Sequence, residues 1–177
     1  ESMEARLAEN PGYQQQFKAV FGADQITSEL VGKAIATFER TVVSANSPWD
    51  RSLLSGDESL ISDAVRRGNA LFNDKAGCSQ CHAVTNVDSV PADLYQNTGV
   101  GMNIESPDLG RYVQSEMEED RGAFKVPMLR NVTETAPYMH DGTLATLEDV
   151  IRYYERGGDP NPWLDEKMKP LELTDQE

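Results

Sequence analysis

The chain has 177 residues and a formal net charge of -14, because 30 acidic side chains outnumber 16 lysines and arginines. This charge repels a phosphate backbone, which argues against nucleic acid as a partner. No stretch approaches the roughly 20 consecutive apolar residues of a membrane-spanning helix, so no membrane span is expected. The length suits one domain with a solid core, with or without an appendage.

The N-terminal part of the chain is predicted to be helical. Residues 13–21 carry apolar side chains that suit a short helix, and Thr27 is suited to the N-cap of the next helix. Apolar residues then recur at the spacing of one helix face: Leu30, Val31, Ala34, Ile35, Phe38 and Val42. The dipeptide Ser47-Pro48 is expected to break this second helix.

Further helices are predicted on both sides of a long irregular segment. An amphipathic pattern runs from Leu60 to Phe72, and residues 83–128 follow with many turn-forming residues. A loop of this length is uncommon in a compact domain unless it wraps a cofactor or a partner. Residues 146–149 form a variant of the capping box, which opens a helix through Tyr154. Because no alternating strand pattern is present, the fold class is predicted to be all-α with long loops.

The most specific motif is Cys78-Ser79-Gln80-Cys81-His82, the Cys-x-x-Cys-His pattern that attaches a c-type haem. The two thiols form thioether bonds with the haem, and the adjacent imidazole is the proximal iron ligand. A disulfide between cysteines so close in sequence would be strained and would close almost no loop. A zinc site would need two more soft ligands, and only His140 remains. One covalently bound haem c, with His82 as proximal ligand, is therefore predicted.

The occupant of the sixth iron position decides what such a haem can do. Four residues of the last predicted helix share one face, and they are Leu147, Val150, Ile151 and Tyr154. Tyr154 is therefore expected to point inward, whereas Tyr153, about 100° round the helix, is expected to be less buried. The spacing by itself favours a core tyrosine over an iron ligand.

Other side chains downstream of His82 are also candidates for the sixth position. Methionine is the usual sixth ligand in electron-carrying c haems, and the candidates are Met102, Met128, Met139 and Met168. His140 is the only other histidine, and it could be a ligand, a partner of a haem propionate or a surface residue.

Several segments together resemble one protein family. They are Phe38-Glu39-Arg40-Thr41, Ser47-Pro48-Trp49-Asp50-Arg51, Arg67-Gly68-x-x-Leu71-Phe72, Phe124-Lys125-Val126-Pro127-x-Leu129-Arg130-Asn131-Val132, Thr135-Ala136-Pro137-Tyr138-Met139-His140-Asp141-Gly142, Thr146-Leu147-Glu148 and Gly157-Gly158. From about residue 5 to the end, the sequence resembles the C-terminal half of bacterial dihaem cytochrome c peroxidases and their MauG-type relatives.

The resemblance implies a class I cytochrome c-like haem domain over residues 58–177, preceded by connector helices over residues 1–57. These helices would come from the edge of an N-terminal haem domain. In the peroxidases, the methionine ligand follows the histidine of the His-Asp-Gly motif by fourteen residues, which is the position of Tyr154 in this sequence. MauG-type proteins carry an iron-binding tyrosine there. The resemblance therefore favours Tyr154 as the sixth ligand and reverses the preference from spacing.

The resemblance also implies roles for three further residues. The family binds a calcium ion between its haems, and two of its ligands are backbone carbonyls that match Thr135 and Pro137; carbonyl oxygens suit this hard cation. The alternative is that these two residues only shape a turn. Arg130 is placed to pair with a haem propionate, with a surface salt bridge as the alternative.

The sequence departs from the family in having one Cys-x-x-Cys-His motif where the dihaem proteins have two. The peroxide-reactive haem is therefore expected in a missing N-terminal domain or a partner chain, and no catalytic residue is assigned here. The chain starts at Glu1 without an initiator Met or a signal peptide. Because c-type haem is attached outside the bacterial cytoplasm, we expect a mature, processed or truncated periplasmic chain.

These expectations combine into one leading functional hypothesis. The chain is expected to be the electron-transfer haem domain of a MauG-like or cytochrome c peroxidase-like oxidoreductase that uses hydrogen peroxide at a second haem. The electron donor could be a small cytochrome, a copper protein, or tryptophan or tyrosine side chains of a substrate protein. The alternative is a stand-alone monohaem electron carrier, which the single motif favours and residues 1–57 disfavour. A haem-based sensor is a weaker third hypothesis.

Overall fold

The computed structural model describes residues 2–82, 94–174 and 176–177. The chain forms two compact units, Glu1–Ala45 and Asn46–Glu177. The predicted boundary at residue 57 stays a prediction. Part of the predicted irregular segment, residues 83–93, lies outside the described residues. In the part of the chain that the structure describes, no helix is long and apolar enough to cross a membrane.

The described residues of the first unit form helices α1 (Met3–Ala8), α2 (Pro11–Phe21) and α3 (Ser28–Glu39). The side chain of Thr27 accepts a hydrogen bond from Leu30 N and caps α3, as predicted. The Glu4 carboxylate of α1 accepts hydrogen bonds from both the backbone N and the hydroxyl of Ser28, at 2.6 and 2.7 Å. This contact fixes the start of α3 against α1.

The predicted apolar face of α3 is buried near the start of the helix and exposed towards its end. Val31 is buried, but Ile35 and Phe38 are exposed, Phe38 over 68% of its surface. Val42 lies beyond the end of the helix, which stops at Glu39. The periodicity therefore predicted the helix correctly, but the described residues leave Ile35 and Phe38 exposed.

The described part of the second unit is also mainly helical, with a very small sheet of two strands. Its helices are α4 (Pro48–Ser55), α5 (Asp63–Asn73), α6 (Tyr112–Ser115) and α7 (Leu147–Glu155). Strands β1 (Tyr95–Gln96) and β2 (Phe124–Lys125) pair antiparallel, and short 3-10 turns occupy Glu58–Leu60, Cys78–Gln80, Glu118–Asp120 and Val132–Glu134. This architecture confirms the predicted all-α class with long loops.

The caps of α4 and α7 are both complete capping boxes. Thr146 and Asp149 exchange hydrogen bonds at the start of α7, which confirms the predicted helix start. Ser47 and Asp50 do the same for α4, so the Ser47-Pro48 dipeptide begins a helix as well as separating it from α3.

The packed centre of the second unit lies where the segment after β1 meets the end of α7. Asn97 is buried; its side-chain nitrogen donates to Arg121 O at 2.7 Å and its side-chain oxygen accepts from Gly99 N at 2.8 Å. Gly99 has φ +92°, and a Cβ there would lie 2.2 Å from the carbonyl oxygen of Asp159. Only glycine permits this close approach, which holds the loop against the segment that follows α7.

Candidate haem-binding site

The Cys-x-x-Cys-His motif forms a tight turn directly after α5. Gly77 adopts φ +62° and its carbonyl accepts from Gln80 N, and His82 N then donates to Cys78 O at 2.8 Å. A Cβ on Gly77 would lie 2.7 Å from the side-chain nitrogen of Gln80. Both cysteines are free and partly buried. Burial raises the pKa of both thiols, so they are protonated at neutral pH.

The orientation of His82 is set by a backbone carbonyl of a distant segment. Its Nδ1 lies 3.0 Å from the carbonyl oxygen of Pro127. Because a carbonyl only accepts, Nδ1 carries the proton and Nε2 keeps its lone pair. Burial lowers the pKa of His82, so the imidazole is neutral at pH 7. A neutral ring with a free Nε2 and a hydrogen-bonded Nδ1 is the form in which histidine ligates metals.

Tyr154 lies near the two cysteines. It projects from α7 and is only partly exposed. Burial raises the pKa of its hydroxyl to about 12, and Cys81 and Cys78 add to this rise, so both thiols lie within electrostatic range of the phenol. The phenol on α7 and the thiols of the turn after α5 therefore interact electrostatically, and the role of Tyr154 as an iron ligand stays a prediction.

The predicted burial of α7 was wrong at two positions. Tyr153, expected to be the less buried tyrosine, is only 2% exposed, whereas Ile151, expected on the inward face, is 55% exposed. The hydroxyl of Tyr153 donates to Thr98 O at 2.9 Å and accepts from Asp159 N at 3.1 Å. The helix is therefore rotated so that Tyr153 packs in the centre of the unit, and Tyr154 lies at the edge of the packed face.

The other candidates for the sixth position have different surroundings. A Cβ on Gly122 would lie 2.4 Å from the Met102 sulfur, and one on Gly158 would lie 2.8 Å from the Met168 methyl group. Both methionines therefore pack against glycines, whereas Met128 is about half exposed. Met139 has φ +70° in the turn that also contains His140. All four methionines stay alternatives to Tyr154 as the sixth ligand.

His140 lies at the exposed tip of a turn. Tyr138 and Leu144 pair across the base of this turn, with Tyr138 N donating to Leu144 O at 2.7 Å. The His140 ring stacks on Phe124 of β2, with ring centroids 3.7 Å apart and planes 10° apart. This contact gives the imidazole a fixed place, and its role towards a cofactor stays a prediction.

Arg130 makes a two-pronged ion pair with Asp50. Its Nη1 and Nη2 donate to Asp50 Oδ2 and Oδ1 at 3.0 and 2.7 Å. Asp50 is the capping-box residue of α4, so the contact joins two segments 80 residues apart in sequence. Sequence reasoning missed this role of Asp50, although Ser47-Pro48-Trp49-Asp50 has the form of a capping box. The pairing of Arg130 with a haem propionate stays a prediction.

The two residues predicted to bind calcium lie on the exposed turn that leads to His140. Thr135 and Pro137 are both exposed, and the Thr135 hydroxyl donates back to Val132 O at 3.2 Å. Backbone carbonyl oxygens on an exposed turn suit a hard cation. Within residues 2–82, 94–174 and 176–177, no group of three or more His, Cys, Asp and Glu side chains is placed to hold a metal ion.

The donor set fits a covalently attached haem. Two free thiols in a tight turn suit thioether formation, and the neutral imidazole with its free Nε2 suits the proximal iron position. The Tyr154 hydroxyl, near the same thiols, is an oxygen donor available for a further iron ligand. Pro127, which orients His82, has no reactive side chain, so sequence reasoning had no chemical signal for its role.

Comparisons with known proteins agree with this chemistry. The family model described as "Di-haem cytochrome c peroxidase" matches residues 1–59. The methylamine utilization protein MauG of Methylorubrum extorquens is 41% identical over 97% of this chain and 48% of that protein. Cytochrome-c peroxidase IdrP1 of Denitromonas iodatirespirans is 38% identical over 99% of this chain and 54% of that protein. The chain belongs to the dihaem cytochrome c peroxidase and MauG family.

Structural similarity extends over nearly the whole chain. A MauG-like protein associated with microbial copper homeostasis matches with a TM-score of 0.71 and 29% identity, over 97% of this chain and 57% of that one. The chain therefore spans about half the length of the relatives it matches. The family is described as dihaem, and this half carries one Cys-x-x-Cys-His motif.

Proposed function

We propose that this chain is the electron-transfer haem c domain of a dihaem, MauG-like or cytochrome c peroxidase-like oxidoreductase. The observation that carries the proposal is a tight turn that holds two free thiols next to a neutral imidazole, whose Nδ1 lies 3.0 Å from Pro127 O. Family membership supports the class of reaction, and the half-length match supports a role that is completed by another domain.

Each residue of the site has a separate task in this proposal. A haem bound here supplies a one-electron redox centre. Cys78 and Cys81 hold it covalently, so it cannot be lost during turnover. His82 presents Nε2 to the iron, and its Nδ1 donor bond to Pro127 O keeps the ring in that tautomer and orientation.

Tyr154 is assigned as the sixth ligand. A phenolate oxygen is a hard, anionic donor that stabilises ferric iron, whereas a methionine sulfur favours ferrous iron. If His82 and Tyr154 both held the iron of a haem bound here, this site would offer no position for peroxide. Reduction of hydrogen peroxide is therefore assigned to a second haem outside this chain, and this domain relays electrons to or from it.

Three features support an assembly larger than this chain. The family model matches residues 1–59, and the apolar side chains Ile35 and Phe38 of α3 are exposed. The relatives are about twice as long as this chain. The partner is assigned as an N-terminal haem domain or a separate chain that carries one. The electron donor is a small cytochrome, a copper protein, or aromatic side chains of a substrate protein, and the compartment is the periplasm.

A calcium ion between the two haems is a further part of the proposal. The carbonyl oxygens of Thr135 and Pro137 provide two of its ligands, and their exposed position on the turn before His140 supports this assignment. The remaining ligands come from the partner domain and from water. A chelator should therefore weaken the association of the two haem domains.

The decisive experiment measures the native mass and the covalent haem count of the purified assembly, together with its turnover of hydrogen peroxide. Two haems per assembly, extra mass for a second domain and peroxide-dependent oxidation of a donor are expected. One haem in an assembly with the mass of this chain, and no peroxide turnover, would overturn the relay role. That outcome would favour the stand-alone monohaem electron carrier, which the single haem motif also allows.

A further inference from the structure

The carbonyl that orients His82 belongs to a segment held at both ends. On its N-terminal side, β2 pairs with β1, and Val126 N donates to Leu94 O at 3.0 Å. Pro127 follows at once, and its own nitrogen has no proton to anchor it. On the C-terminal side, three residues further on, Arg130 is the first residue with a two-pronged contact to another element.

The Arg130–Asp50 ion pair has more hydrogen bonds and less solvent exposure than an ordinary surface ion pair. The Asp50 side chain is only 12% exposed, and both of its oxygens accept from the Arg130 guanidinium. Asp50 Oδ2 also accepts from the backbone N and the hydroxyl of Ser47, at 2.9 and 2.8 Å. A bidentate pair with a fixed carboxylate has a defined geometry as well as a favourable energy.

Residues 127–130 connect two contacts: the Pro127 carbonyl with His82 Nδ1, and the Arg130 guanidinium with Asp50. If the Asp50 carboxylate is removed, the backbone between Pro127 and Arg130 loses one of the contacts that hold it, the two-pronged pair with α4. The distance most sensitive to that loss is the 3.0 Å between Pro127 O and His82 Nδ1. Hydrogen bonds from the outer nitrogen of a ligating histidine set its orientation and raise its basicity as a ligand.

We propose that Asp50 is a positioning residue for the haem ligand His82, acting through Arg130 and the carbonyl of Pro127. This inference rests on the proposed function, since it requires His82 to bind iron. It assigns a role at the haem to the Ser47-Pro48-Trp49-Asp50-Arg51 segment, which otherwise serves only as the start of α4. A longer or more variable Nδ1 bond makes the imidazole a weaker donor, which favours reduced iron and raises the midpoint potential.

A purely structural role for Asp50 makes a different prediction. As a capping-box residue it stabilises α4, and its loss by itself would lower stability without changing the iron environment. The chain offers a control for this effect. Ser47→Ala removes the hydroxyl that caps α4 and one of the hydrogen bonds to Asp50 Oδ2, but it keeps the carboxylate, its bond from Ser47 N and both contacts with Arg130. It should therefore lower stability and shift the midpoint potential much less than Asp50→Asn.

The test is made on the haem-loaded protein with its complete assembly. Asp50→Asn is compared with Asp120→Asn, which removes the same charge from another part-buried pair, Asp120 with Arg111 at 3.0 Å. The measurements are the midpoint potential of the haem bound by this chain and the g values of its ferric EPR spectrum. Asp50→Asn should raise the potential more than Asp120→Asn and shift the g values, and Asp50→Glu should recover most of the wild-type behaviour.

Several outcomes would overturn the inference. Equal potential shifts in Asp50→Asn and Asp120→Asn with unchanged g values would mean that only charge matters, and loss of stability alone would leave Asp50 as a helix cap. If Asp50→Asn does not accumulate with haem, Arg130→Lys breaks the two-pronged contact while keeping the charge, and a wild-type potential in that variant would refute the role. Absence of histidine ligation in the wild-type spectrum would instead refute the proposed function.

Discussion

The turn over residues 74–82 and helix α7 both carry residues of the proposed haem site but are held in different ways. The backbone of the turn is held by hydrogen bonds between residues at most five positions apart, such as His82 N to Cys78 O, and the His82 ring is oriented by Pro127 O, 45 residues away. Helix α7 is oriented by contacts with distant segments, such as the Tyr153 hydroxyl with Thr98 O, 55 residues away in sequence. Thiol chemistry is therefore encoded locally, whereas the place of Tyr154 depends on tertiary packing.

The largest expected effect comes from changing the cysteines of the turn over residues 74–82. Replacing both Cys78 and Cys81 with serine should abolish covalent haem attachment, because a hydroxyl does not form the thioether bonds. The measurement is the haem that remains with the protein after denaturation in acid and organic solvent. Retention of haem under these conditions would contradict the assignment of both cysteines, and a helical far-UV signal in the variant would show that the chain still folds.

Tyr154→Phe tests whether helix α7 supplies the sixth iron ligand. The ring remains, but the oxygen donor is lost, so the ferric optical and EPR spectra should change and the midpoint potential should rise. Tyr153→Phe is the matched control, since it removes a hydroxyl from the adjacent residue of the same helix. Identical spectra for wild type and Tyr154→Phe would eliminate Tyr154 as a ligand and would return the sixth position to one of the methionines.

The difference between the two regions also explains what could be predicted from sequence. The Thr27 cap, the capping box at Thr146 and the helices after them were correct, because caps depend on side chains within three or four residues of the helix start. The Cys-x-x-Cys-His motif and the family assignment depend on contiguous residues in the same way.

The burial of α7 could not be predicted in this way. Periodicity identifies residues that share a face, but not which face the rest of the fold covers. The Tyr153 hydroxyl donates to Thr98 O and accepts from Asp159 N, and these contacts hold the ring in the buried position. Neither contact has a signal in the sequence of the helix. The Asp50–Arg130 pair, between residues 80 positions apart, was missed for the same reason.

Loss of the Tyr153 hydroxyl should reduce stability and change the haem spectrum less than loss of the Tyr154 hydroxyl, because the oxygen donor of Tyr154 is retained. Tyr153→Phe leaves Thr98 O and Asp159 N without their buried partner, at a cost of roughly 1–3 kcal/mol in the free energy of unfolding. The measurement is chemical denaturation followed by far-UV circular dichroism. A loss close to zero would show that water replaces the hydroxyl and that Tyr153 does not anchor α7.

The smallest expected effect is a change in how the free energy of unfolding depends on pH below about 5. The Arg130 guanidinium beside Asp50, with the hydrogen bonds from Ser47, holds the pKa of that carboxyl well below its usual range. The folded state thus binds the proton more weakly than the unfolded chain, where the pKa is about 3.9. The stability contributed by Asp50 is therefore complete above about pH 5 and decreases as the pH falls through and below 4.

Asp50→Asn should accordingly be less stable than wild type at pH 7, with the difference shrinking as the pH is lowered below 4. Denaturant unfolding at pH 7, 4 and 3 measures this difference. Glu29→Gln is a suitable control, because Glu29 pairs with Lys33 on the exposed surface of α3, where solvent screens the charges. If the free energy of unfolding differs between Asp50→Asn and wild type by the same amount at all three pH values, the negative charge of Asp50 does not contribute to stability. The ion pair with Arg130 would then not help to hold residues 127–130.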